Sequence, residues 1–196
     1  MKKIPVIAFN SPPGSGKDTV ASLLVEIIEY QGHTVKSFSF KDSLYEYAYQ
    51  YISHLLLYED FLFLCTNRIL KDKKNPLLFD MSPRNFLIFV SERHAKVVNG
   101  ENVWATAVAE KIKTLETDNF SIITDLGFQN EYYLLEKTFD LYVINLQREG
   151  TSFNNDSRSW IDNDRNVPII EIDNNGSPTR AARSIVDELN KINLSI

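Results

Sequence analysis

One stretch, IPVIAFNSPPGSGKDTVASLLVEII at residues 4–28, limits the possible folds more than any other part of the chain. Its first residues form a short apolar run rich in Val and Ile, the pattern of a buried strand. Two prolines and two glycines then force a turn. Beyond the turn, Val20, Leu23, Leu24, Ile27 and Ile28 recur at helical spacing, which predicts an amphipathic helix. A strand that passes through a tight turn straight into a helix is the first half of a βαβ unit. It commits the chain to an α/β fold built on a parallel sheet.

Inside this stretch, SPPGSGKDT lies close to the phosphate-loop pattern G-x-x-x-x-G-K-[ST]. Gly16 and Lys17 fit the pattern, Ser11 stands where its first glycine belongs, and Asp18 replaces the hydroxyl residue. Gly14 and Gly16 let the backbone turn with no side chain in the way of an anion. The Gly14, Ser15 and Gly16 amides and the helix N-terminus then face that anion, and Lys17 adds a cation. A carboxylate beside phosphate repels it unless a cation lies between them, so Asp18 is expected to face magnesium, directly or through water. Thr19 can still offer its hydroxyl to a phosphate. In the competing reading, Asp18 only complements the positive end of the helix.

Strands and helices alternate through the remaining chain. TVKSFSF alternates as a second strand, and helical spacing starts at Asp42 with Leu44, Ala48, Tyr51 and Leu55. A further helix is expected from Asp60 to Leu70, followed by an exposed break at KDKKNP. Ser82 and Pro83 read as the N-cap and first residue of another helix. Val103–Leu115 is helical, FSIITD, LYVINL and VPIIEI are strands, and Pro178 opens a last helix. Ligands of such sheets bind beyond the carboxyl ends of the strands. The glycine loop, Lys41, Asp125 and Arg148 all follow strands, so they are expected on one rim. This organisation is a single domain: a core of about 1–41 and 116–196, a helical insertion of about 42–115, and a polar lid of about 148–165.

Composition narrows the function classes. A net charge of −5 argues against electrostatic capture of long nucleic acid. Cys65 is the sole cysteine, so no intramolecular disulfide exists, and His33, His54 and His94 show no zinc spacing. MKKIPVIAF is too short for a secretory signal, and Glu59 and Asp60 interrupt the apolar stretch HLLLYEDFLFLC. These features predict a soluble cytoplasmic protein with no membrane partner. A homodimer is left open.

Other residues carry two readings each. Asp125, at a strand's carboxyl end, suits a second acidic group that steadies the metal, although many buried strands end in Asp. Arg84, near a helix start, suits a bidentate grip on phosphate or a plain surface position, and Lys41 has the same ambiguity. Trp104 suits a base or the core. Arg148, Arg158 and Arg165 suit closure over phosphates or a solvated mixed-charge loop.

SGKDT after the first strand, FKDSL after the second, SPRNFL opening a helix, NVWA and TDLGFQNE occur in this order along the chain. In this they resemble the deoxynucleoside monophosphate kinases of bacteriophages. The resemblance implies a three-layer phosphate-loop kinase fold with a helical substrate-binding insertion and a lid. It also implies transfer of the terminal phosphate of ATP to a deoxynucleoside monophosphate with Mg2+, in the host cytoplasm. By motif, Gly14, Ser15, Gly16, Lys17, Asp18 and Thr19 would hold ATP, and Asp18 and Asp125 the metal. Phe40, Lys41, Arg84, Trp104, Asn130 and Glu131 would hold the acceptor. Lys17, Arg84 and Arg148 would be the catalytic cations. Family members often carry arginine where Gly127 stands, so Arg148, Arg158 or Arg165 is expected to supply that charge.

The acceptor would be a phosphate oxygen, already anionic at neutral pH because phosphate monoesters lose their second proton near pH ~6. No general base is needed, and catalysis reduces to positioning and charge neutralisation. Two alternatives stay open: another phosphate-loop small-molecule kinase, such as one resembling dephospho-coenzyme A kinase, and a nucleotide-binding switch or assembly protein without transfer activity.

Overall fold

A computed structural model describes residues 3–117, 119–154, 156–194 and 196. In chain order its elements are β1 (Pro5–Phe9), α1 (Lys17–Tyr30), β2 (Val35–Phe38), α2 (Phe40–Tyr49), α3 (Tyr58–Thr66), α4 (Pro83–Val90), α5 (Lys96–Asn99), α6 (Val103–Lys113), β3 (Phe120–Ile123), α7 (Gln129–Thr138), β4 (Asp140–Gln147), β5 (Ile169–Asp173) and α8 (Pro178–Lys191). They divide into two compact units, Met1–Phe40 with Val108–Ile196, and Lys41–Ala107.

The first unit is built on a five-stranded sheet in the order β2-β3-β1-β4-β5. Every neighbouring pair is parallel, with Ile7 opposite both Ile122 and Tyr142 and Asn145 opposite Glu171. Side chains alternate across a strand. Ile7, Phe9, Ile144 and Leu146 therefore share one face, where they are buried with Val20, Leu24 and Ile28 of α1 and Ala182, Ile185 and Leu189 of α8. Val6, Ala8, Leu141 and Val143 point to the other face and are buried as well. Both faces are thus covered, as a parallel sheet requires. From β1 the chain crosses one way through α1 to β2, and from β3 it crosses the other way through α7 to β4. Right-handed crossovers therefore put α1 and α7 on opposite faces. Leu24 is fully buried, and trimming such a leucine to alanine costs about 2–5 kcal/mol.

The second unit closes around Ala48, Ile52, Phe61, Cys65, Leu78, Phe86 and Val90. Phe61 meets Tyr45 and Phe86 edge to face, at 6.5 and 6.3 Å between ring centroids. Burial pushes the Cys65 thiol up to about 12. Ser82 caps α4 as the sequence predicts: its Oγ accepts the Asn85 N–H at 3.2 Å, and Pro83 is the first helical residue. A π turn, Ser91–Ala95, then joins α4 to α5.

Several helix boundaries differ from the sequence expectation. Helix α2 starts at Phe40 rather than Asp42, because the Asp125 carboxylate accepts the Ser39 hydroxyl at 2.7 Å and the Phe40 N–H at 2.9 Å. It ends at Tyr49, so Tyr51 and Leu55 fall outside it and are exposed. Helix α3 stops at Thr66 rather than near Leu70, because the Asn67 side chain accepts the N–H groups of Ile69 and Leu70 at 2.9 and 3.1 Å. That local alternative competes with the helix ladder. Among the described residues, no helix is long and apolar enough to cross a membrane.

Candidate phosphate-binding site

The site begins where β1 ends. Asn10 extends the ladder to β4, its N–H donating to the Ile144 carbonyl at 2.9 Å. Ser11 then explains its place in the motif. Its buried Oγ accepts the Leu146 N–H at 2.9 Å, a bond that a glycine has no side chain to make. Gly14 and Gly16 both adopt left-handed backbone, at φ 82° and 84°, a region glycine enters without steric cost. Gly16 is also the N-cap of α1, so the loop delivers its amides to a helix N-terminus of positive partial charge.

Lys17 opens α1, with its side chain only 12% exposed and its ammonium 3.3 Å from the Asp18 carboxylate. Asp18 projects from the first turn and is 78% exposed. Its carboxylate is a hard oxygen donor beside the anion-binding loop, which fits a magnesium ion. Thr19 is exposed on the same turn. Asp125 is buried, with each oxygen taking a hydrogen bond from Ser39 or Phe40. Its visible task is to start α2 at Phe40, whose side chain is itself buried.

The sequence TDLGFQNE forms a turn into α7. Glu131 is buried, and one of its oxygens accepts the N–H groups of Gly127 and Phe128, both at 3.1 Å. That is the reaching-back half of a capping box. Asn130 is half-buried in the first turn of α7.

The three polar-segment arginines part company. Arg148 turns to the phosphate loop, its Nη1 at 3.5 Å from the Gly14 carbonyl. Arg158 is 14% exposed and forks onto Asp156, at 2.9 Å from Nε and 2.8 Å from Nη2. Its aliphatic stem fills the space over Gly127, where an added Cβ would lie 2.4 Å from Cγ and Cδ. Arg165 stacks on the Tyr133 ring at 5.2 Å. One of the three, Arg148, therefore reaches the loop.

Side-chain hydrogen bonds tie the second half of the polar segment to the rest of its unit. Asn10, fully buried, donates to the carbonyls of Leu126 and Ser159 at 3.1 and 2.9 Å and accepts the Ile161 N–H at 3.0 Å. Gln129 exchanges two bonds with the Asp162 backbone at 2.8 and 3.0 Å. The hydroxyls of Tyr132 and Tyr133 meet Asn163 and Asp164 at 3.0 and 2.7 Å. Polar anchors hold the second half of the segment where the sequence offers few apolar ones.

A cleft of about 700 Å³ adjoins the loop, lined in part by Pro12, Asn145, Gln147, Arg148, Trp160 and Glu171. That volume lies in the range of small-molecule sites. Asn145 and Gln147 alternate with Ile144 and Leu146 along β4, so the cleft opens on the sheet face away from α1.

The other expected acceptor residues belong to the helical unit. Lys41 is exposed on α2. Arg84 is 53% exposed on the first turn of α4, and its guanidinium forks onto Asp72, Nε to Oδ1 at 2.6 Å and Nη2 to Oδ2 at 3.4 Å. That contact holds the Asp72 carboxyl below the usual range. Trp104 is half-buried; its Nε1 donates to Ser91 Oγ at 3.0 Å, and its ring meets Tyr47 edge to face at 5.7 Å.

No family model and no curated protein match the chain in sequence. Solved structures do match in fold. The APS kinase CysC of Mycobacterium tuberculosis, solved in complex with AMPPNP and APS, superposes with a TM-score of 0.54 at 11% identity, covering 97% of this chain and 99% of that one. A cysteine-to-alanine mutant of the same enzyme gives 0.51 at 12% identity, with the same coverage. The parallel sheet, the glycine loop from β1 into α1 and these likenesses define a phosphate-loop NTPase fold.

Proposed function

We propose that the protein is a cytoplasmic kinase that moves the terminal phosphoryl group of ATP to the phosphate of a deoxynucleoside monophosphate. The loop between β1 and α1 carries the reading. Its two left-handed glycines, the helix N-terminus behind them and the Lys17 ammonium make an anion cradle, and Arg148 stands over it. AMPPNP in the neighbouring APS kinase supports an ATP-type donor. The adjoining cleft has room for the donor's nucleoside.

The acceptor class rests on the ordered segments SGKDT, FKDSL, SPRNFL, NVWA and TDLGFQNE and on the behaviour of Arg84. Its guanidinium already grips two oxygens of a carboxylate. A phosphate presents the same paired acceptors, so the same fork suits it. In the reaction Lys17 and Arg148 draw charge off the transferring group, and Arg84 orients the attacking phosphate. Phe40, Lys41, Trp104, Asn130 and Glu131 would complete the acceptor site. Magnesium, when bound, neutralises charge on the donor phosphates; Asp18 and Asp125 are the carboxylates proposed to hold it.

Incubation with ATP, magnesium and a panel of ribo- and deoxyribonucleoside monophosphates tests the reading. Diphosphate products formed from deoxynucleotides, and lost when magnesium is omitted, are expected. Phosphorylation of dephospho-coenzyme A instead would move the chain to another kinase class. ATP binding with no product from any acceptor would make it a switch.

A further inference from the structure

Asn174 follows β5 by one residue, yet its side chain acts 159 positions away. It is 3% exposed, and its Nδ2 donates to the Ser15 carbonyl at 2.7 Å. Only this amide orientation bonds, since Oδ1 turned toward a carbonyl would repel it. The Asn174 backbone is itself fixed, donating to the Gln147 carbonyl at 2.8 Å. Oδ1 of Asn174 is buried with no hydrogen-bond partner among the described residues, and so is the Ser15 Oγ. A buried amide with half its capacity unsatisfied lowers stability. Its one side-chain bond is spent on the backbone of the glycine loop.

We infer that Asn174 is a positioning residue for the phosphate loop, fixing the Ser15–Gly16 peptide so that its amide faces the phosphates of the donor. The inference rests on the phosphate-loop reading above. A trans peptide is planar, with its C=O and N–H pointing opposite ways. Holding the Ser15 carbonyl therefore sets the direction of the Gly16 N–H. Gly16 fits this arrangement in a second way: an added Cβ would lie 2.7 Å from Asn174 Nδ2, so no larger residue shares the space.

The test is calorimetric binding of ATP and of inorganic tripolyphosphate to the intact protein and to Asn174→Ala, with thermal unfolding of the free proteins alongside. Tripolyphosphate lacks a base and sugar, so it reports on the loop alone. Both ligands are expected to bind roughly 3- to 10-fold more weakly to the variant, by the same factor, at unchanged stoichiometry. A merely structural defect would lower the folded fraction, and with it the stoichiometry, rather than the affinity of the molecules that remain folded. Weakened ATP binding with unchanged tripolyphosphate binding would mean a contact to the nucleoside and overturn the inference, as would unchanged binding of both. Failure of the parent protein to bind either ligand would instead remove the phosphate-loop reading, and the inference with it. Should Asn174→Ala not fold, Asn174→Asp keeps the volume and removes the donor; it is expected to weaken both ligands, and parental affinity for both would overturn the inference.

Discussion

Replacing Gly127 with alanine adds one methyl group where the chain has no room for it. The new Cβ would lie 2.4 Å from Cγ and Cδ of Arg158 and 2.8 Å from its Cβ, whereas ordinary contact begins at 3.4 Å. Backbone strain does not enter, since Gly127 is not among the glycines with positive φ. The stem of Arg158 must therefore retreat by about 1 Å. It cannot do so by moving only its far end, because its own Cβ is among the crowded atoms. The retreat pulls the guanidinium off Asp156, a pair whose side chains are 14% and 18% exposed, and strains the Ser159 N–H bond to the Gly127 carbonyl at 3.2 Å. Overpacking of this kind costs about 1–3 kcal/mol. Gly127→Ala should lower the stability read from urea unfolding by that amount and speed amide exchange across residues 156–161. Parental stability together with parental exchange would refute the steric argument.

Lys17→Ala should reduce phosphoryl transfer by about 10³-fold while urea unfolding stays near that of the parent; near-normal turnover by a folded variant would take the loop out of the mechanism. Arg84→Ala should lower kcat/KM for the acceptor by roughly 10- to 150-fold, the equivalent of a charge-assisted bond of about 1.5–3 kcal/mol. ATP binding measured without acceptor should stay unchanged, and Arg84→Lys should remain impaired because it loses the fork. The Cys65 thiol, pushed up to about 12 by burial, holds almost no reactive thiolate at pH 8. Iodoacetamide should label it far more slowly in the native protein than in urea, and equal rates would contradict its burial.

What could be read from the sequence was what lies close together along it. The turn from β1 into α1 announces itself through Gly14, Gly16 and Lys17, and the start of α4 through Ser82 and Pro83, because caps and turns use neighbouring residues. Alternation of strands and helices likewise revealed the parallel sheet. Asn10 and Asn174 left no comparable trace. The side chain of each bonds backbone groups more than 100 positions away, and an asparagine beside a strand otherwise reads as an ordinary turn residue. The tethers of the residues after Gln147 were hidden for a related reason. Their Asn, Asp and Ser content resembles a solvated loop, yet those side chains, with Gln129, Tyr132 and Tyr133, are the tethers. Arg84 was legible as a forked cation, but Asp72, twelve positions earlier, was not legible as its partner.

The hold that Asn10 keeps on Ser159 and Ile161 also bears on tempo. A lid that swings as a body across an active site does so over microseconds to milliseconds, and its opening often limits turnover. Here the stretch carrying Arg148 and Thr151 is short and tied down at both ends, by strand β4 before it and by the Asn10 contacts after it. Rotamer changes of an exposed side chain are faster, on the scale of picoseconds to nanoseconds. Arg148, one residue beyond β4, would meet and leave a phosphate by changing rotamer.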